Sequence, residues 1–416
     1  MHKYVSNMKK FLLIALAAVA AVSASCDPAE REARKNPYKP LTLSTKSAEF
    51  IEKGNASFTF EFIDRVNAGT SGSYFVSPLS LQFLLGMTLN GAQGETAGEI
   101  CRVLGYGAGE TDAVNAYALE MLRQLPSLDK KTKLTIANAI FADKAYPLLP
   151  SYESALRQHY SAEVENLDFS DAPATLKRIN DWCSDNTNGL FKNILDKVDP
   201  EVQAYLLNAM YFKSQWAKKF EKKNTSPEDF TRSGGEKAKV PMMKQNKKFA
   251  YSENESFQSV RLPYGNGAYS MVVLLPRAGR SDKDITAYLK QTDWNVFLRQ
   301  MDLCEVDLWL PKFETTYHID LEEMLSAMGM PLAFNPSAAD FSAMAQPSPY
   351  LSAVTQDAIV KVDEEGTEAA VVSKAHFGKT EAAYPSAVFH ADHPFLYFIV
   401  EQSTGVVLFA ARYAGE

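Results

Sequence analysis

The run Asp363-Glu364-Glu365-Gly366-Thr367-Glu368-Ala369-Ala370-Val371-Val372-Ser373 alternates like a strand, yet it opens on a glycine and small side chains. Read at period 2, one face carries Thr367, Ala369, Val371, Ser373, Ala375 and Phe377. The other carries Glu368, Ala370, Val372, Lys374, His376 and Gly378. Successive strand residues point to opposite sides, so the first set can sink into a packed core while the second, mostly polar, meets water. Residues 358–362 ahead of the run read as a true strand, and residues 378–393 behind it read as loop. An ordinary half-buried strand fits poorly, because Gly, Thr and paired Ala give up packing area and β propensity. A segment suited both to an exposed loop and to a buried strand implies a switch.

The chain around this segment has 416 residues, 46% of them hydrophobic, enough for a large core. No linker, repeat or composition break interrupts it beyond about residue 47, so one domain over residues 47–416 is expected. The formal charge is −7, and no basic stripe stands out along the sequence. That balance disfavours nucleic acid, whose phosphates demand a basic surface.

Lys3, Lys9 and Lys10 precede an apolar run over residues 11–22, too short to span a bilayer, followed by Ser23-Ala24-Ser25 and Cys26. This is the pattern of an export signal over residues 1–25. Small residues directly before Cys26 resemble a bacterial lipobox, in which the cysteine becomes the acylated first residue; Ser23 departs from that pattern and leaves ordinary signal cleavage as the alternative. Residues 26–46, rich in charge and proline, read as a flexible tether. The expected location is the cell envelope, held by lipid, or the extracellular space. Membrane contact is expected only through that lipid. Cys101, Cys183 and Cys304 are odd in number and lack CxxC spacing, so they read as buried hydrophobes.

Periodicity sketches the rest. Residues 47–67 carry Phe58, Phe62 and Val66 at helical spacing. Residues 79–89 are apolar all round, a buried helix broken by Gly91 and Gly94, with Thr96 as the expected cap of the next. Residues 133–143 alternate Leu134, Ile136, Asn138 and Ile140 as a strand; 150–160 and 174–188 read as helices; 202–212 suit a central strand. Pro263-Tyr264-Gly265-Asn266-Gly267 reads as a hairpin turn into a strand at 271–275. Helices crowd the first half and strands the second, which gives an α+β class with large mixed or antiparallel sheets.

A search for catalytic chemistry finds nothing to build on. There is no HExxH, GxSxG, P-loop or dinucleotide fingerprint. His390 and His393 are spaced for a metal on a helix, but Pro394 and the strand-like residues after it argue against one. No enzyme activity, metal or cofactor is expected.

The hinge-like run resembles that of the serpins, protease inhibitors that trap their target by loop insertion. Other serpin-like motifs follow in order: Tyr74-Phe75-Val76-Ser77-Pro78-Leu79-Ser80, Asn90-Gly91-Ala92-Gln93-Gly94-Glu95-Thr96, and Leu207-Asn208-Ala209-Met210-Tyr211-Phe212-Lys213-Ser214-Gln215-Trp216 with Phe220. Val240-Pro241-Met242-Met243-Lys244, Leu310-Pro311-Lys312-Phe313, His393-Pro394-Phe395-Leu396-Tyr397-Phe398-Ile399 and Gly405-Val406-Val407-Leu408-Phe409 complete the series over roughly residues 47–413. The resemblance implies a serpin fold with three β-sheets, about nine helices and an exposed reactive loop near the C-terminus. It implies a monomeric inhibitor of trypsin-like or elastase-like serine proteases, with cysteine proteases as further targets. The alternative is a non-inhibitory serpin with a binding or chaperone-like role.

Family positions carry over residue by residue. The hinge is Glu364, Gly366, Thr367, Glu368, Ala369, Ala370, Val371, Val372 and Ser373. Ser77, Ser80 and Asn208 resemble the shutter beneath the opening sheet, with Gln356 where a histidine is common and Ser73 where an asparagine is common. Trp216, Lys312 and Glu364 resemble the breach where insertion starts, and Lys312 with Glu364 is an expected ion pair. Counting on from Glu364 by the family's spacing puts the reactive bond at Thr380-Glu381; Lys379-Thr380 would suit a trypsin-like pocket, and counting back from Pro394 gives Ala383.

Overall fold

Ser77 begins the element on which the core is assembled. Its side chain accepts from the Ser80 amide, and Pro78 takes the first helical position, so helix α3 (Pro78–Gly91) starts cleanly. Leu79, Phe83, Leu85, Met87 and Leu89 are all buried, as expected for a helix apolar on every side. The computed structural model describes residues 37–199, 201–367 and 385–416. Pro40–Glu416 form one compact unit.

Helices α1 (Thr45–Phe50) and α2 (Ala56–Gly69) precede it, joined through a π turn at Ile51–Asn55. Next come α4 (Gly94–Val103), α5 (Thr111–Gln124), α6 (Pro150–Tyr160) and α7 (Ala172–Asn186). Helices α8 (Asp282–Gln291), α9 (Trp294–Arg299) and α10 (Glu322–Met328) complete the ten α-helices of the described residues. Thr96 does not cap α4, whose first residue is Gly94; buried within the helix, its hydroxyl instead accepts from the Asp340 amide at 3.1 Å. With Gln93 at the cap and Gly94 at a positive φ (+53°), the helix starts three residues earlier than a Thr96 cap implied.

The first sheet has six strands in the order β10-β11-β12-β4-β2-β3. They are β2 (Lys133–Asp143), β3 (Glu163–Leu167), β4 (Ala204–Gln215), β10 (Phe313–Asp320), β11 (Thr355–Val362) and the two-residue β12 (Gly366–Thr367). Helix α7 lies across one face, where Ile179, Trp182 and Cys183 pack on Ala139, Phe141 and Ala209. Helix α3 packs against β4 from the other side.

The second sheet has nine strands. The 17-residue β6 (Lys237–Glu253) is its spine. The first part of β6 pairs with β5 (Ser226–Thr231) and β9 (Asp302–Pro311), whereas its last residues pair with β7 (Phe257–Pro263). From β7 the ladder continues through β8 (Tyr269–Pro276), β14 (Phe395–Glu401), β15 (Val407–Tyr413) and β1 (Tyr74–Val76). Strand pairing thus gives two sheets among the described residues where three were expected, because the long β6 pairs with β5 and β9 and also with β7 and so joins the rest into one.

One expected loop is partly a strand. Ser386–His390 form β13, parallel to β9 at the edge of the sheet. Phe389, fully buried, anchors it, while Val388 on the alternate face is 57% exposed. A five-residue edge strand with a single apolar anchor leaves little periodic signal. No helix of the described residues is long and apolar enough to cross a membrane.

Candidate functional site

The polypeptide reverses direction at Asp363–Gly366. The Asp363 carboxylate accepts from the amides of Glu365 (2.9 Å) and Gly366 (3.2 Å), closing a tight Asx turn. The returning strand β12 then enters between β11 and β4, with Val362 paired to Thr367 on one side and Gln215 and Ser214 paired to Gly366 and Thr367 on the other. Only glycine fits at 366, since a Cβ there would run into the Ser214 carbonyl and the Gln215 backbone.

Each residue of this turn is clamped by the segment that follows β4. Trp216 donates its ring N–H to the Asp363 carbonyl at 2.9 Å and its backbone N–H to the Glu365 carbonyl at 2.8 Å. The Phe220 amide donates to the Glu364 carbonyl at 3.0 Å, and Lys219 pairs with the Glu365 carboxylate at 2.6 Å. The Glu364 side chain is 6% exposed; it pairs with Lys312 at 3.0 Å and accepts from the Thr225 hydroxyl at 3.0 Å. Burial pushes this carboxyl up, but its own backbone N–H, Lys312 and Thr225 together outweigh that, and the net shift is below 4.5. Thr367 is buried and shares a 2.7 Å hydrogen bond with the Tyr264 hydroxyl, whose ring stacks on Trp216 at 4.5 Å.

Below Thr367 the sheet is parted. Among the described residues no ladder joins β4 directly to β11. A cavity of about 190 Å³ lies under Thr367, between Met210–Phe212 on one side and Ile359–Lys361 on the other. A second, of about 270 Å³, continues between the lower halves of the same strands, over Ser77 and Ser80 and beside Cys183 of α7.

At its lower end a polar relay reconnects the two sides. Gln356 of β11 accepts from the Ser77 amide at 2.7 Å and donates to the Ser77 carbonyl at 3.0 Å. The Ser77 hydroxyl donates to the Leu408 carbonyl at 2.7 Å, and Ser80 bonds to Asn208 of β4. Asn208 donates to Asn138 of β2 at 2.7 Å, and Asn138 to the Tyr160 carbonyl at 2.8 Å. Gln356 thus satisfies both backbone groups of Ser77 without an ionisable ring. Ser73 lies apart from this relay and accepts from the Ala414 amide at 2.9 Å.

The sequence named Trp216, Lys312, Glu364, Ser77, Ser80, Asn208 and Gln356, and the structure brings them to the two ends of one parting. It missed Thr225, Tyr264, Lys219 and Asn138. Only Asn138 carried a signal, a lone amide in an otherwise apolar alternation. Residues 368–373 of the hinge, the reactive-bond residues Lys379, Thr380 and Glu381, and Cys26 lie outside the described residues. His390 pairs with Asp307 and His393 with Asp392, so the two rings serve separate contacts. Cys183 is buried, which pushes its thiol up to about 12 and leaves it un-ionised at neutral pH.

Comparison with known proteins gives this arrangement a family. The model for Serpin (serine protease inhibitor) matches residues 53–415. Serpin B6 of Pongo abelii is 32% identical over 376 residues, covering 88% of this chain and 99% of that protein. The native-state crystal structure of tengpin, a thermophilic serpin, superposes with a TM-score of 0.79 at 28% identity, over 92% of this chain and 98% of its own. Human thyroxine-binding globulin, solved in complex with its hormone, does so with a TM-score of 0.79 at 26% identity, over 88% and 98%. Serpins are generally inhibitors of serine proteases rather than catalysts. From the breach to the C-terminal strands, this chain belongs to the serpin family.

Proposed function

We propose that the chain is an inhibitory serpin that traps its target protease by inserting its cleaved loop into the six-stranded sheet. The observation that carries this reading is the register of Thr367. It faces Ser214 on β4 and Val362 on β11, and both neighbouring strands run on past it. Continuing the two registers sets Ala369 between Phe212 and Val360, Val371 between Met210 and Ala358, and Ser373 between Asn208 and Gln356. The small uncharged face of the hinge then fills the two cavities and ends on the shutter relay. The polar face, with Glu368 and Lys374, falls on the α7 side.

The chemistry up to that point belongs to the protease. Its serine or cysteine attacks the loop and forms an acyl-enzyme. The freed strand slides into the parting, and about sixteen residues at ~3.3 Å each carry the tethered protease roughly 50 Å. Displacing its oxyanion donors alone slows deacylation about 10²- to 10³-fold. Insertion must outrun deacylation, so an inward hinge without charge or bulk favours trapping. A carrier role like that of thyroxine-binding globulin needs no such hinge. Residues 1–25 direct export, residues 26–46 form the tether, and Cys26 carries the lipid; radiolabelled palmitate should label the wild type, and equal labelling of Cys26→Ala would discard this.

Incubation with trypsin or pancreatic elastase is expected to give an adduct that survives boiling in SDS, and the cut chain should melt far above the intact one. The small C-terminal fragment should begin at Thr380 or Glu381. Thr367→Arg buries a cation at several kcal/mol, about enough to stall entry, and turns trap into substrate. Simple cleavage of the wild type, with no adduct and no rise in melting temperature, would sink the proposal.

Two further outcomes concern the clamps. Gln356→Ala leaves the Ser77 amide and carbonyl without side-chain partners, so the urea midpoint should fall by the equivalent of about 1–3 kcal/mol; an unchanged midpoint speaks against the relay. The Glu364 carboxyl is held below 4.5, so its stabilisation is present above that value and lost as pH falls through the lower folded value. The melting-temperature gap between wild type and Glu364→Gln should therefore be widest near neutrality and close in acid. A gap that widens in acid contradicts the clamp.

A further inference from the structure

Folding gathers a basic surface that the sequence average conceals. Residues 213–248 hold eleven Lys and Arg against four Asp and Glu, a net +7, while the rest of the chain, with 32 against 46, carries −14. Within this span the turn around Lys222–Asn224 is braced onto β6. Lys218 bonds to the Lys248 carbonyl, Lys247 donates to the Lys219 carbonyl at 2.9 Å, and Gln245 donates to the Lys218 carbonyl at 3.4 Å. Lys218, Lys219, Lys222, Lys223 and Lys247 thus gather on the side of β6 that the turn covers, and Lys248, which alternates to the other side of the strand, stays near enough for its charge to act on Lys218. The acids among them are Glu221, paired with Lys223 at 2.7 Å, and Glu305, opposite Lys248 on β9.

The ammonium groups of Lys218 and Lys247 meet backbone carbonyls of other lysines, not carboxylates. Burial lowers the pKa of both, and for Lys218 the charges of Lys247 and Lys248 lower it further. Like charges are crowded here at a cost, as on a surface shaped to meet an anion.

The patch also adjoins both roots of residues 368–384. At the leading root, Lys219 holds Glu365, two residues before Thr367. At the trailing root, Ser386 pairs with Glu305, which pairs in turn with Lys248.

We propose that this lysine face is a docking exosite for an acidic rim beside the cleft of the attacking protease, so that charge as well as the reactive bond selects the target. The proposal rests on the reading of residues 368–384 as protease bait. Lysines from separate elements give a field of point charges without planar, bidentate geometry, which suits steering of a protein surface. The aromatic rings nearest the patch do not offer stacking platforms, since Lys218 covers Phe249 and Lys244 covers Trp309.

The test uses the full chain against an anionic and a cationic trypsin, which share primary specificity. The rate of loss of intact chain is read separately from the partition between adduct and cleaved product. At about 50 mM salt the anionic enzyme should react about tenfold faster or more, and the advantage should shrink at about 300 mM as screening tightens. Lys222→Glu/Lys248→Glu should remove the advantage, Lys222→Gln/Lys248→Gln should halve it on a logarithmic scale, and neither should slow the cationic enzyme. Equal rates for the two trypsins overturn the exosite and leave the trap standing. Cleavage without adduct, with the charge dependence retained, sinks the trap and keeps the exosite. Variants that change only the partition would show the lysines to be hinge braces, and acceleration of both enzymes by dextran sulfate would assign the face to a linear polyanion; either overturns the proposal.

Discussion

The two ladder positions of Gly366 and Thr367, wedged between β4 and β11, set the state of the whole molecule. At these two residues the sheet is continuous from β11 to β4; beyond them no ladder joins the two strands. Strand edges left unpaired in this way forgo bonds that a third strand would supply on both sides. A backbone hydrogen bond contributes a net of about 0.5–1.5 kcal/mol. A strand running the length of the 8-residue β11 and bonded on both sides adds on the order of 10 kcal/mol. That is comparable to the whole net stability of an ordinary domain, about 5–15 kcal/mol. The parting is therefore a large local reserve of free energy, and the two cavities along it add unfilled apolar contacts.

Such a reserve persists only if entry of the strand is controlled, and the clamps are arranged to do this at one point. The segment Trp216–Thr225 holds Glu364 and Glu365 through backbone and side chain and Asp363 through its carbonyl, whereas Gly366 and Thr367 are shaped to pass into the sheet. The acids stay outside and the small residues go in. At the far end, Gln356 and Asn208 hold the two strands to α3 through Ser77 and Ser80, so the lower sheet moves only if this relay is broken. Ser373, by register, is the residue that would reach it, and its hydroxyl matches the chemistry there.

Legibility in the sequence followed the range of each signal. The buried helix over residues 79–89 and the apolar run of β4 are local patterns, and the structure has both. Trp216, Lys312 and Glu364 were found through family motifs, and their contacts obey ordinary charge and hydrogen-bond rules. Tyr264 and Thr225 were missed because they reach the hinge from 103 and 139 residues away, and nothing in their own surroundings marks the trip. Strand β13 was taken for loop because a short edge strand buries one side chain and exposes the next. The parting of β4 from β11 has no sequence signature, since either strand alone reads as fully competent to pair.

Charge shows the same limit from another side. A composition of −7 describes an acidic protein, and for solubility that is the relevant figure. Yet Lys218 and Lys247 meet backbone carbonyls of other lysines, and burial, joined for Lys218 by the charges of Lys247 and Lys248, lowers their pKa. Lys219 and Lys248 stand beside the residues that precede and follow 368–384, through Glu365 and Glu305, so on the proposed reading positive charge lies where a protease would arrive. On the proposed trap, stored free energy is spent once, so the molecule gains from choosing its partner before the bond is cut, and long-range charge acts before contact.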